Sequence, residues 1–168
     1  MSEWAYLFKT GVALFAIVNP IGNLPVFISA TNQWSKRDKS RTANIVGITV
    51  FAVLAITTFF GNDILDFFSI SIPSFQVGGG ILILLMSINM MHGKQSHTRQ
   101  TPEEAQTMAD KSAIAIVPLS IPIYAGPGAI SSVIITADKS VNFIHQTSLL
   151  IPIAVVSLLV WLTLRLSS

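Results

Sequence analysis

Five long stretches of this chain contain no Asp, Glu, Lys or Arg, namely Thr10 to Ser35, Thr42 to Asn62, Phe67 to Gly93, Ser112 to Ala137 and Ser140 to Leu164. Each is at least 21 residues long. A helix rising about 1.5 Å per residue needs about 20 apolar residues to cross a hydrocarbon core of roughly 30 Å, so every stretch is long enough to span. The pattern predicts an all-α fold, a polytopic transmembrane helical bundle forming one integral membrane domain over residues 1–168. The five spans are expected near 10–34, 42–62, 72–92, 112–137 and 142–164.

Composition excludes the main alternatives. Charged residues make up 11% of the chain and hydrophobic ones 51%, against roughly 25% charge in an ordinary soluble domain. Neither a disordered chain nor a nucleic-acid-binding one has that balance. The net charge of +2 is too small to matter except through where the charges sit. The chain has no cysteine, which removes disulfides, thiolate metal sites and a cysteine nucleophile. The first run is expected to remain in the mature protein rather than act as a cleaved signal peptide: Glu3 sits at its head beside a single Lys9, and the apolar stretch is long and contains Pro20 and Pro25.

Lys and Arg accumulate on the cytoplasmic side of membrane helices. Counting on alternate sides of the five spans gives eight on one side (Lys36, Arg37, Lys39, Arg41, Lys94, Arg99, Lys111, Arg165) and two on the other (Lys9, Lys139). The bias places the amino terminus outside and the Trp34 to Arg41 and Lys94 to Lys111 loops in the cytoplasm. The Lys94 to Lys111 loop has no apolar periodicity with which to bury a core, although Thr101 and Pro102 resemble a short helix start. His92 and His97, five residues apart, do not stack on one helical face, so a metal site is not expected there.

The first and fourth runs differ from the others in carrying proline and glycine at mid-depth. The first reads Asn19-Pro20-Ile-Gly22-Asn23-Leu-Pro25-Val-Phe27; the fourth reads Val117-Pro118-Leu-Ser120-Ile-Pro122-Ile-Tyr124-Ala-Gly126-Pro127-Gly128-Ala-Ile-Ser131-Ser132. A proline inside a helix removes the bond to the carbonyl four residues earlier and costs about 3 kcal/mol or more unless that group finds another partner. By this rule the carbonyls of Ala16 and Ile21 are freed in the first run, and those of Ile114, Pro118 and Ile123 in the fourth. Irregular backbone at membrane depth is tolerated only where protein or a wet cavity covers it. The two broken helices are therefore expected to face each other, with new half-helices starting after Asn23 and Gly126, where proline fits the first turn. The alternative is that the prolines and glycines only bend the helices for packing.

Because the breaks head the first and fourth spans, the chain reads as a three-helix unit followed by a second unit entering the membrane in the opposite direction. Inverted units of this kind are the layout of secondary transporters, whose sites lie between the repeats. The candidate pathway residues are Asn19, Pro20, Gly22, Asn23, Pro25, Pro118, Ser120, Pro122, Tyr124, Gly126, Pro127, Gly128 and Ser131. The triple glycine Gly78-Gly79-Gly80 and the pair Ala43 and Gly47 put small residues on helix faces, as close helix packing requires.

The segments Asn19 to Phe27 and Val117 to Ser131 resemble the two signature segments of the MarC family of bacterial inner-membrane proteins, and Phe68 to Leu82 resembles its third-span segment. The family is regarded as distantly related to the LysE group of exporters, so the resemblance implies transport without naming a substrate. It also implies six spans in a three-plus-three repeat. With five runs, this chain is expected to be a three-plus-two remnant, truncated before the sixth span. Relatives often carry Arg where Gln76 stands.

No HExxH, GxSxG, P-loop or Rossmann pattern occurs, so an enzyme is not expected, and no cofactor or metal is called for. Asp63, Asp66 and Asp138 fall at membrane edges, which argues against a buried proton relay and favours carbonyl-held sodium or simple facilitated diffusion. The expected function is transport or export of a small solute. The expected partners are the lipid bilayer, that solute and a second copy covering the flank where a sixth helix would lie; nucleic acid is not among them. The competing class is a non-transporting membrane component or an inactive truncated relative.

Overall fold

The computed structural model describes residues 3–91, 124–140 and 142–167. Among these the regular elements are all helices: α1 (Glu3–Val18), α2 (Leu24–Ala30), α3 (Lys36–Phe67), α4 (Ile72–Met91), α5 (Pro127–Asp138), α6 (Phe143–Ser148) and α7 (Leu150–Leu166). The Lys94 to Lys111 loop lies outside the described residues, as do Pro118, Ser120, Pro122 and the freed carbonyls assigned to Ile114, Pro118 and Ile123.

Local chemistry sets the helix ends. α3 begins at a reciprocal cap: the Ser35 hydroxyl oxygen accepts from the Asp38 amide at 3.2 Å, and the Ser35 hydroxyl donates to Asp38 Oδ2 at 2.9 Å. A cap of this type contributes about 1 kcal/mol. Its other end closes with Ser69 at a φ of 56°. The Ile70 amide reaches back to the Leu65 carbonyl and the Ser69 amide to that of Asp66, both at 2.9 Å, a Schellman closure. Between these stops α3 runs for 32 residues, or about 48 Å. It therefore extends past the expected 42–62 span on both sides. Pro152 has no amide for the Ser148 carbonyl, and a single residue, Leu149, separates α6 from α7 within the apolar stretch Ile144–Leu166, which covers most of the expected 142–164 span.

Lys36–Phe67 and Ile144–Leu166 are each long and apolar enough to cross a membrane, whereas Trp4–Val18 and Ile72–Leu85 are shorter apolar helices. The first run falls into the shorter class because Asn19 ends α1 after 16 residues.

α3 and α7 form the main pair. α3 offers a narrow stripe, Ala43, Val46, Gly47, Val50 and Leu54, and α7 answers with Ile153, Val156, Val160 and Leu164; all are buried. Gly47 sits where α7 crosses, since a Cβ there would lie 2.9 Å from Trp161 Cβ, and Trp161 Nε1 donates to Asn44 Oδ1 at 2.7 Å beside it. α5 packs against α1, α3 and α4. Side chains at Gly61 of α3 or Gly79 of α4 would collide with Ile134 or Ser131 of α5, so both helices approach it closely. Gly78 and Gly80 face open space.

The outward faces are apolar. Trp4, Phe8 and Val12 on α1, Ile48 and Ile56 on α3, and Val155 and Leu158 on α7 are all at least half exposed. A water-soluble bundle would turn such residues inward or face them with charge; here they continue the apolar surface around the outside, as lipid requires.

Candidate functional site

The break after α1 is held by two asparagines. Asn19 adopts a φ of 45°, a left-handed conformation that Asn tolerates better than most residues, and this turns the chain out of α1. Its side-chain Oδ1 then accepts from the Gly22 amide at 3.0 Å. A Cβ at Gly22 would run into the Asn19 amide, so glycine is what lets this turn close. Asn23, 3% exposed, sends its Nδ2 back to the Val18 carbonyl at 3.0 Å, satisfying a carbonyl at the end of α1. α2 starts immediately after it with Pro25 in its first turn.

The bookkeeping of freed carbonyls changes at Ile21. Removal of the Pro25 amide was expected to leave that carbonyl without a partner, but the Leu24 amide takes it at 3.1 Å by tightening the turn. The break is thus largely closed on itself. Phe27 and Thr31 follow, fully buried, with the Thr31 hydroxyl donating to the Phe27 carbonyl at 2.8 Å.

The break before α5 is built differently. Gly126, with extended ψ of 173°, caps the helix; Pro127 occupies the first turn, and the Gly126 carbonyl accepts from the Ile130 amide at 3.0 Å. No side chain caps this end.

The candidate residues separate by environment. Pro20, Asn23, Tyr124, Gly126, Gly128 and Ser131 are buried, Asn19 is half-buried, and Gly22, Pro25 and Pro127 are exposed. Val18 and Phe27 beside the first break share one cluster of buried residues with Tyr124, Ala125 and Ala129 beside the second. Ser131 abuts Gly79 of α4. Among the described residues no group of three or more His, Cys, Asp or Glu is placed to hold a metal ion. Asp63, Asp66 and Asp138 are exposed, with Asn62 Nδ2 donating to Asp138 Oδ1 at 3.4 Å.

A small recess, about 10 Å³, lies between α1, α5 and the start of α7, lined by Thr10, Leu14, Ser132, Val133, Thr136, Leu149 and Ile153. That is room for about one water. At its outer side the Tyr6 hydroxyl donates to the Thr136 carbonyl at 3.3 Å. Of these residues the sequence analysis named only Ser132, within the quoted fourth run, and Thr10, as the start of the first run. The signal for the rest was present as hydroxyls four residues apart, Tyr6 and Thr10 on α1 and Ser132, Thr136 and Ser140 on and just beyond α5.

Residues 4–168 match the family described as "MarC family integral membrane protein". The chain belongs to the MarC family. Among its relatives are the UPF0056 membrane protein YhcE of Escherichia coli, 36% identical over 98% of this chain and 77% of that protein, and the UPF0056 membrane protein YvbG of Bacillus subtilis, 32% identical over 98% of this chain and 79% of that protein. A UPF0056 membrane protein of Archaeoglobus fulgidus is 32% identical over 90% of this chain and 71% of its own length. No solved structure matches. Membership in the MarC family makes this an integral membrane protein, in agreement with its all-helical, outwardly apolar build.

Proposed function

We propose that this MarC-family chain is a five-span inner-membrane carrier of a small solute, with its amino terminus outside, and that the solute passes between the two broken helices. One observation supports the reading above the others: Val18 and Phe27 beside the first break and Tyr124, Ala125 and Ala129 at the start of α5, about one hundred residues apart in sequence, share a single buried cluster. A kink needed only for packing does not explain two half-helices that each begin at mid-run with proline in the first turn and converge on one core. The pathway comprises Asn19, Pro20, Gly22, Asn23 and Pro25 from the first break and Pro118, Ser120, Pro122, Tyr124, Gly126, Pro127, Gly128 and Ser131 from the second. No enzymatic step, cofactor or nucleic acid enters this reading.

Two experiments test it. A reporter fused after Gln100 is expected to behave as cytoplasmic and one after Asn62 as external; the reverse pattern overturns the orientation. Purified protein in proteoliposomes is expected to raise solute flux above that of empty vesicles across a panel of small solutes. Absence of flux for the whole panel, with correctly inserted protein, favours a non-transporting membrane component.

A further inference from the structure

The helices α1 and α5 meet along a seam that carries the hydroxyls of Tyr6, Thr10, Ser132 and Thr136. Tyr6 lies against Thr136, and Thr10 and Leu14 line the same recess as Ser132 and Val133, so the two helices run antiparallel with Tyr6 and Ser140 at the outer end. Deeper in, Leu14 and Ala129 are buried in the cluster that flanks the breaks. The seam therefore starts at the end of the bundle that carries Asn62 and Asp138 and leads toward the breaks, with Leu14 between the recess and the core.

Its closure is weak. The Thr136 carbonyl belongs to the last turn of α5, where helix carbonyls lack amide partners. It receives the Tyr6 hydroxyl at 3.3 Å and the Ser140 hydroxyl at 3.4 Å, both long for O–H donors and both directed to one oxygen. The Thr136 hydroxyl is committed elsewhere, to the Ser132 carbonyl. The Tyr6 and Ser140 hydroxyls also hydrogen-bond each other, and when Tyr6 leaves, Ser140 still donates to the Thr136 carbonyl, so that carbonyl keeps a partner. The recess behind already has room for about one water, and its lining carries no charged side chain.

We infer that the seam between α1 and α5 is the outer vestibule of the pathway, closed by the Tyr6 hydroxyl on the Thr136 carbonyl, and that it admits small uncharged hydrogen-bonding solutes of the polyol or amide class. The lining sets the hydroxyls of Thr10, Ser132 and Thr136 among four apolar side chains, so it offers such solutes a few hydrogen bonds, whereas an ion entering it would meet no compensating charge. This inference rests on the carrier reading for its direction of travel, and its structural content is testable apart from it.

In the cysteine-free chain, Thr10→Cys and Ser132→Cys are reconstituted singly and exposed to a membrane-impermeant maleimide, with Val12→Cys on the outward face of α1 as the lipid-facing control. The two seam positions are expected to label and the control to remain unlabelled. Adding Tyr6→Phe, which keeps the ring and removes the donor, is expected to raise labelling at both seam positions about fivefold, the factor that one ordinary hydrogen bond represents. Seam labelling no faster than at Val12, or a rate indifferent to Tyr6→Phe in well-inserted protein, overturns the vestibule even where flux is present. Labelling as expected in vesicles that move no solute leaves the vestibule standing and removes the carrier reading alone. For the solute class, glycerol flux that exceeds glutamate flux and rises with Tyr6→Phe supports the assignment, and the opposite ranking overturns it.

Discussion

The two helix breaks solve one problem with different materials. At the first, side chains do the work: Asn19 in a left-handed conformation accepts the Gly22 amide, and Asn23 returns a donor to Val18. At the second, backbone conformation suffices, with Gly126 extended and Pro127 preset for the first helical turn. The half-helices differ in proportion, seven residues in α2 against twelve in α5. A short half-helix has little packing of its own and needs its turn fixed by hydrogen bonds; the longer one is gripped by α3 and α4 at Gly61 and Gly79. The first break is therefore the one that single side-chain substitutions reach, and the second is the one that helix packing protects.

The largest effect is expected from Asn19→Leu. Leucine at a φ of 45° carries a left-handed penalty of about 1–2 kcal/mol, and the bond to the Gly22 amide is lost as well, about 1 kcal/mol more. Thermal unfolding in detergent should register a total of about 2–3 kcal/mol, and any solute flux should fall with it. Asn19→Gly restores the backbone freedom while still lacking the side chain, so it separates the two contributions. Stability recovered by Asn19→Gly without recovery of flux would make Asn19 part of the pathway; recovery of both would leave it a turn former.

A somewhat smaller loss, about 2 kcal/mol, is expected for Asn23→Leu, which leaves the Val18 carbonyl without its buried donor. Full stability of this variant would mean that α1 ends without that bond and that the contrast between the breaks is overstated. Pro127→Ala should cost less than about 1 kcal/mol, because alanine also fits the first helical turn and the change acts mainly through the unfolded chain. A loss at Pro127 as large as that at Asn19 would erase the distinction, making the second break as dependent on one residue as the first. The smallest effect is expected for Trp161→Phe, which removes a single partly exposed bond to Asn44 while keeping the ring over Gly47, about 0.5–1 kcal/mol in the same melt.

Much of the site was legible because proline and glycine act locally. Pro25 and Pro127 marked where α2 and α5 begin, since a residue without an amide is accommodated only in the first turn. Gly47 and Gly79 were readable as packing positions from their small size, and the structure finds Trp161 and Ser131 against them. Ile21 was misread for a reason that lies outside periodicity: the freed carbonyl was counted as though the helix continued, whereas the chain tightens and supplies the Leu24 amide from three residues on.

The sequence by itself determined the helical, lipid-facing character of the chain and the two points where helices stop and restart. Those follow from charge-free length and from the missing amide of proline, both properties of a few neighbouring residues. Only the tertiary structure decided that Asn23 turns inward to Val18 and that Tyr6 reaches a carbonyl on α5 from 130 residues away. A hydroxyl repeating every fourth residue states which face of a helix is polar, but which helix that face meets depends on crossing positions set by Gly61, Gly79 and the α3–α7 pair. These contacts join residues far apart in the chain, and their register exists only once the helices have packed.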